Sequence, residues 1–271
     1  SGVIYPIVMG WQWGGGWLAS FGFSDFAGST LVHSTGGAAA LAGIMILGPR
    51  YGRFDNKGNP KALQPFAASS IPLVTIGVFV LWLGWFGFNG GSQLALGSFA
   101  DAVAISSIFI NTNLSACGGV LAAAVVTRLL FGKTDVVQML NGAIGGLVAI
   151  TAEPLAPSPL AAILIGAMGG VIVVFGTKLL FSFKLDDVVG AIPAHMFAGI
   201  FGTLVVPMTN ADAIFSAQLV GVLSINIFVF VVAYIVWSIM NSLFGIRLSK
   251  EAQAKGTDVT ETGVIAYAIR D

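Results

Sequence analysis

Asp25-Phe-Ala-Gly28-Ser-Thr-Leu-Val-His33-Ser-Thr-Gly-Gly37 opens an apolar run that extends to about Leu47. About 20 such residues cross a bilayer as a helix, so the run places an imidazole inside a membrane-spanning segment. Titratable groups at that depth are costly, and by default they mark a pathway or a site. The pattern returns in Asp187-Val-Val-Gly190-Ala-Ile-Pro-Ala-His195-Met-Phe-Ala-Gly199, again at the head of an apolar run. Both copies read D-x2-G-x4-H-x3-G, and they hold the only 2 histidines of the chain.

Composition agrees with a membrane setting. Of 271 residues 56% are hydrophobic and 9% charged, against about 25% charged in a soluble domain. Mean hydropathy is +0.91, and the 36 glycines suit close helix packing in lipid. The expected class is an all-α polytopic membrane protein. The single cysteine, Cys117, excludes an intramolecular disulfide or a cysteine-built metal site and reads as a packing residue. A formal net charge of zero argues against a nucleic-acid partner. No basic segment precedes the first apolar stretch, so no signal peptide is expected. Ser1 reads as a truncated start, with natural sequence expected upstream.

Spans are expected near 25–48, 66–91, 102–130, 136–152, 159–181, 188–207 and 215–245, seven in all. Residues 1–24, rich in Trp and Gly, read as a helix end and an interfacial aromatic segment. The 12 basic residues fall only in alternate connections. Arg50, Arg53, Lys57 and Lys61 follow the first span, Arg128 and Lys133 the third, and Lys178 and Lys184 the fifth. Arg247, Lys250, Lys255 and Arg270 follow the last. By the positive-inside rule the residue-1 end lies outside and the tail in the cytoplasm.

Topology sets the depth of the two imidazoles. The first span runs inward and the sixth outward, and each histidine lies about 12 Å beyond its aspartate at 1.5 Å per residue. Both therefore approach the midplane of a core about 30 Å thick, from opposite faces. A shared motif on antiparallel spans is the mark of inverted repeats, whose site lies at their interface.

Simpler readings exist for the other motif positions. Asp25 and Asp187 precede a first helical turn, where a carboxylate caps free N–H groups. The glycines at +3 and +12 read as packing notches. Two histidines lacking a third His, Cys or carboxylate make a poor zinc site. Neither belongs to an H-E-x-x-H pair, and Asp101 and Glu153 are placed in outer connections. No cofactor and no enzymatic role is expected. What remains is a narrow apolar path in which neutral imidazoles donate and accept hydrogen bonds.

Aromatic residues then gather at the outer mouth. Trp13-Gly-Gly-Gly16 precedes the first span, and Trp82-Leu-Gly-Trp85-Phe-Gly-Phe88-Asn-Gly-Gly-Ser92 ends the second. Aromatic faces attract small cations once desolvated. An interfacial aromatic belt is the alternative. Together, W-G-G-G…D-F-A-G-[ST]-x-V-H, G-W-F-G-F-N-x-G-S and D-D-x-x-x-A-x-x-x-H resemble the ammonium transporter (Amt/Mep/Rh) family, its Amt branch in particular.

That resemblance implies an Amt-like helical bundle with inverted repeats, here the fifth to eleventh of the family's eleven spans. Residues 1–245 would form the membrane domain, without its N-terminal part, and 246–271 a cytoplasmic tail. Ammonium or ammonia, with methylammonium as an analogue, would be carried across the cell membrane. Trp13 and Ser92 match the family's recruitment site, Phe88 one gate phenylalanine, and His33 and His195 the twin pore histidines. The other gate phenylalanine has no counterpart in this sequence. Asp25 matches a supporting aspartate, and Asp187 takes the equivalent place in the second motif. The family forms homotrimers. Its tail motif G-x-D-x-x-x-H-G-E-x-A-Y is matched by Gly256 to Tyr267, but Thr262 replaces the His and Val264 the Glu. Block by a PII-type regulator is therefore not expected here. An ammonium sensor on the same fold is the alternative. Sensors usually carry a cytoplasmic signalling domain, whereas about 25 residues follow the last span, so transport is the expectation.

Overall fold

A computed structural model describes residues 2–55 and 66–265. Ser1, Lys57, Lys61, Tyr267 and Arg270 lie outside the described residues. Those described form helices and connections, with no strand among them. A short α1 (Ile4–Gln12) and α2 (Trp17–Ser20) precede seven apolar helices. These are α3 (Ser29–Leu47), α4 (Ile71–Gly91), α5 (Phe99–Phe131), α6 (Val136–Thr151), α7 (Pro159–Ser182), α8 (Ile192–Met208) and α9 (Phe215–Phe244). A tail helix, α10 (Lys250–Lys255), follows.

Five of these, α3, α4, α5, α7 and α9, are long and apolar enough to cross a membrane, while α6 and α8 are shorter apolar helices. At 16 residues, α6 covers about 24 Å at 1.5 Å per residue, less than a typical hydrocarbon core. Local chemistry sets the starts. Ser70, Ser98, Asp135 and Ser158 each accept from the backbone N–H three residues on, and a proline occupies the first turn of α4 and α7. Ser98 and Asp101 complete a capping box. Asp101 therefore belongs to the first turn of α5, three residues inside the helix, and not to a connection. A carboxylate at that position is held by the free N–H groups and the helix dipole.

Small residues build the contact among α5, α6 and α7. A Cβ at Gly119 would run into the Gly142 carbonyl, and one at Gly166 into Ser115. Ser115 Oγ also donates to the Gly146 carbonyl at 2.7 Å. Backbone approach of this kind replaces the hydrophobic drive that lipid-embedded helices lack. A second cluster joins Leu31 and Ala38 of α3 to Ile225 and Val229 of α9.

The helices are gathered with like ends together. Arg247 donates to the carbonyls of Leu47 and Pro49, and Lys178 lies 5.9 Å from the Phe131 ring centre, so the last turns of α3 and α9 meet, as do those of α5 and α7. Arg53, 4.6 Å from the Phe181 ring centre, brings the two pairs to one end. That end holds the basic residues among those described. The other end, free of them, joins the loop before α3 to the end of α6 and the start of α9.

Asp186 organises the charged end. Its buried carboxylate accepts from Arg50 N, Nε and Nη2 at 3.0, 2.7 and 2.8 Å, and Arg53 Nε lies 3.4 Å away. Burial would raise its pKa, but the Arg50 hydrogen bonds and both guanidinium charges outweigh burial and hold the carboxyl below its ordinary value. A carboxyl with a depressed folded-state pKa contributes stability above its unfolded pKa of about 3.9, and loses it as pH falls through the folded value. We expect Asp186→Asn to cost about 2–3 kcal/mol at neutral pH. Thermal unfolding of purified protein should show the deficit in full at pH 7, shrinking only below about pH 4 as pH falls through the folded value. A pH-independent deficit would contradict it.

Candidate functional site

Each motif copy begins with the same local device. The Asp25 carboxylate accepts four backbone N–H groups, from Gly28, Ser29, Thr30 and Leu31, at 2.8–3.0 Å. Asp187 accepts two, from Ala191 and Ile192, at 3.0 and 2.7 Å. The glycine at +3 is left-handed in both, with φ of 114° at Gly28 and 73° at Gly190. Side chains rarely adopt that conformation, so these glycines are turn positions as well as packing notches, where a Cβ would strike Val32 at Gly28 and Asn141 at Gly190. The glycines at +12 are notches. A Cβ on Gly37 would strike Met196, and one on Gly199 the Ser29 carbonyl.

After each turn comes a π-helical segment, Ser29–Ser34 and Ile192–Phe197, which carries the histidine. His33 N donates to Gly28 O, five residues back, at 3.0 Å. One extra residue per turn re-aims the side chains, and π-segments are frequent at functional positions. The two segments pack together, and Thr30 Oγ1 of the first lies 2.7 Å from Thr203 Oγ1 in the α-helical turns that follow the second.

His33 and His195 meet here. Their Nδ1 atoms lie 3.3 Å apart and their ring centroids 5.3 Å apart, at an interplanar angle of 25°. A neutral imidazole has one N–H, so one Nδ1 must donate and the other accept. The donor ring then keeps a lone pair on Nε2 and the acceptor ring an N–H there, so the pair offers an acceptor at one edge and a donor at the other. Nε2 of His33 is buried with no hydrogen-bond partner in the protein. A buried, unpaired polar atom calls for an explanation.

Two aromatic rings of α4 complete the surroundings. Trp85 stacks on His33 at 4.8 Å and 17°, and Phe88 is 5.3 Å from it at 41°. Phe88 is half exposed and lies 5.9 Å from Trp85. Helical spacing of three residues puts both on one face of α4. Trp13 packs against the Asp25–Gly28 turn. Its Nε1 donates to the Asp25 carbonyl at 2.9 Å, and Cη2 would lie 3.2 Å from a Cβ on Gly28. With the N–H engaged and the side chain 41% exposed, what Trp13 has left to offer is its ring face. Ser92 Oγ donates to its own helix at Phe88 O, 2.9 Å away, which leaves oxygen lone pairs free. No hydrogen bond joins Ser92 to Trp13 among the described residues.

Sequence reading passed over Trp85 as a site residue although it lies in the quoted aromatic run. Spacing from Phe88 was the available signal. Nothing in the sequence pointed to Thr151, and Asp186 stands in the quoted D-D motif with no role read from its position.

Known proteins resemble this chain over nearly its whole length. The sequence model of the Ammonium Transporter Family matches residues 1–267. A Synechocystis sp. protein named for ammonium transport is 45% identical over 269 residues, covering 97% of this chain and 60% of the relative. The ammonium transporter Amt2 of Archaeoglobus fulgidus is 38% identical over 297 residues, 98% of this chain and 62% of its own. Among solved structures, a Sensor Amt Protein superposes with a TM-score of 0.88 at 31% identity, covering 96% of this chain and 67% of that one. The chain thus spans about 60% of the length of these curated relatives.

Proposed function

The chain belongs to the ammonium transporter family, and from that premise we propose that it conducts ammonium or ammonia across a membrane past the His33–His195 pair. The single observation that carries this reading is the Nδ1–Nδ1 contact of 3.3 Å, flanked by Trp85 and Phe88. A bare ammonium ion does not cross an apolar tube cheaply. Trp13 and Ser92 recruit it at the outer mouth through a ring face and an oxygen. Phe88 gates the entry, and the imidazole pair supplies the hydrogen bonds that a dehydrated ammonia or ammonium loses. Asp25 and Asp187 act as structural supports of the two histidine segments.

Seven spans, α3 to α9, form the membrane domain, residues 1–245, in a plasma or inner membrane. The residue-1 end faces outward and the tail, 246–271, lies in the cytoplasm. The active unit is a homotrimer with one path in each subunit. With Thr262 and Val264 in the tail motif, a PII-type protein does not block it.

The test is uptake of labelled methylammonium by cells lacking their own ammonium transporters. We expect saturable uptake that ammonium competes away. The similarity to a Sensor Amt Protein favours a second reading, an ammonium sensor on the same fold. Ammonium binding without uptake would select the sensor, and neither binding nor uptake would sink both.

A further inference from the structure

Trp85 lies flat on His33, yet the two come from different helices, α4 and α3. Something must fix one relative to the other, because a stacked pair contributes only about 0.5–1.5 kcal/mol by itself. Thr151, the last residue of α6, bonds to both. Its Oγ1 accepts the indole Nε1–H of Trp85 at 2.9 Å. Its backbone carbonyl accepts the N–H of Ala27 at 3.0 Å, beside the carbonyl of Ala152, which accepts from Phe26 at 2.8 Å. Those two N–H groups belong to the segment that turns at Gly28 into the π-helix of His33.

The hydroxyl is itself oriented. It has carbonyl partners at Leu147 O, 2.7 Å away, and Asn89 Oδ1, 3.2 Å away. Asn89 in turn donates to Thr112 Oγ1 of α5 at 3.0 Å. Thr151, Asn89 and Thr112 are fully buried and Trp85 nearly so, so water cannot replace a lost partner cheaply. A donating hydroxyl presents its lone pair to the indole, and the indole plane follows.

We infer that Thr151 is a positioning residue for the transport path: through one side-chain bond and one main-chain bond it sets the Trp85 ring against the His33 imidazole. The inference rests on the transport reading and extends it to a residue that touches neither histidine.

Thr151→Val keeps the shape and removes the acceptor, while Thr151→Ser keeps the acceptor. In the methylammonium assay we expect Thr151→Val to lower the maximal rate per folded protein at least tenfold. Half-saturation should change little, because Trp13 and Ser92 are untouched. Thr151→Ser should restore the rate. Thr177→Val, which removes a hydroxyl bonded only within its own helix at Val173 O, should have no effect. An experimental structure of Thr151→Val should show Trp85 off the His33 ring. Trp85 still stacked in that structure, or an undiminished rate, overturns the inference. Should the unsubstituted protein carry no methylammonium, the transport reading falls, and ring placement in Thr151→Val alone decides what Thr151 holds.

Discussion

His33→Ala combined with His195→Ala abolishes ammonium uptake or lets other cations such as potassium through. The two rings touch through Nδ1 and are walled by Trp85 and Phe88, so removing both leaves a wider, wholly apolar gap. If each ring's hydrogen bond to the substrate is worth about 1.5–3 kcal/mol, the loss of two raises the barrier by about 3–6 kcal/mol and slows the rate about 10²-fold or more at 1.4 kcal/mol per decade. Methylammonium uptake, with potassium as the competing ion, measures both outcomes. Each single variant should fall between, since the remaining ring retains a donor and an acceptor. A double variant with unchanged rate and unchanged discrimination would remove the imidazoles from the path.

Asp25→Ala should be the most destabilising substitution in the chain. The carboxylate is buried and accepts four backbone N–H groups of one turn. The turn is strained without it, because Gly28 sits at φ 114° and the π-segment starts immediately after. Stranding even two of those donors at about 1–3 kcal/mol each costs several kcal/mol, a large share of a typical stability of about 5–15 kcal/mol. Thermal unfolding in detergent and the yield of monodisperse protein should both collapse. Asp187→Ala removes only two such bonds at a part-buried site and should cost distinctly less. Equal losses for the two would contradict the count of stranded donors as the cause. Asp25→Asn retains one oxygen acceptor and should fall between wild type and Asp25→Ala.

Much of the architecture is legible in the residues. Apolar runs of spanning length locate seven helices, and each expected span contains one, with ends displaced by a few residues. The trimming has local causes. Ser98 and Asp101 start α5 earlier than hydropathy suggests, and Gly190 delays α8 to Ile192. Hydropathy averages over a window and is blind to a cap. The paired motif was legible as well, because an imidazole in an apolar run is expensive enough to stand out alone.

Other features leave no mark on the sequence. The first π-turn follows a buried carboxylate that collects four successive N–H groups and the second a part-buried one that collects two, a pattern no propensity encodes. Gly28 and Gly37 look alike in the chain, yet one is required by backbone conformation and the other by the neighbouring Met196. Asp186 and Asp187 are adjacent and chemically identical. One faces two guanidinium groups and the other the start of a helix.

By itself, then, the sequence determined the membrane class, the helix order, the alternation of charge and the two imidazoles, because each rests on chemistry that a residue carries wherever it lies. Tertiary structure alone decided that His33 reaches His195, that Trp85 covers one of them, and that Thr151 ties that cover to the histidine's own segment. Those contacts join residues from 52 to 162 positions apart. They depend on how helices lacking side chains at their crossings slide together, which spacing along one chain does not record.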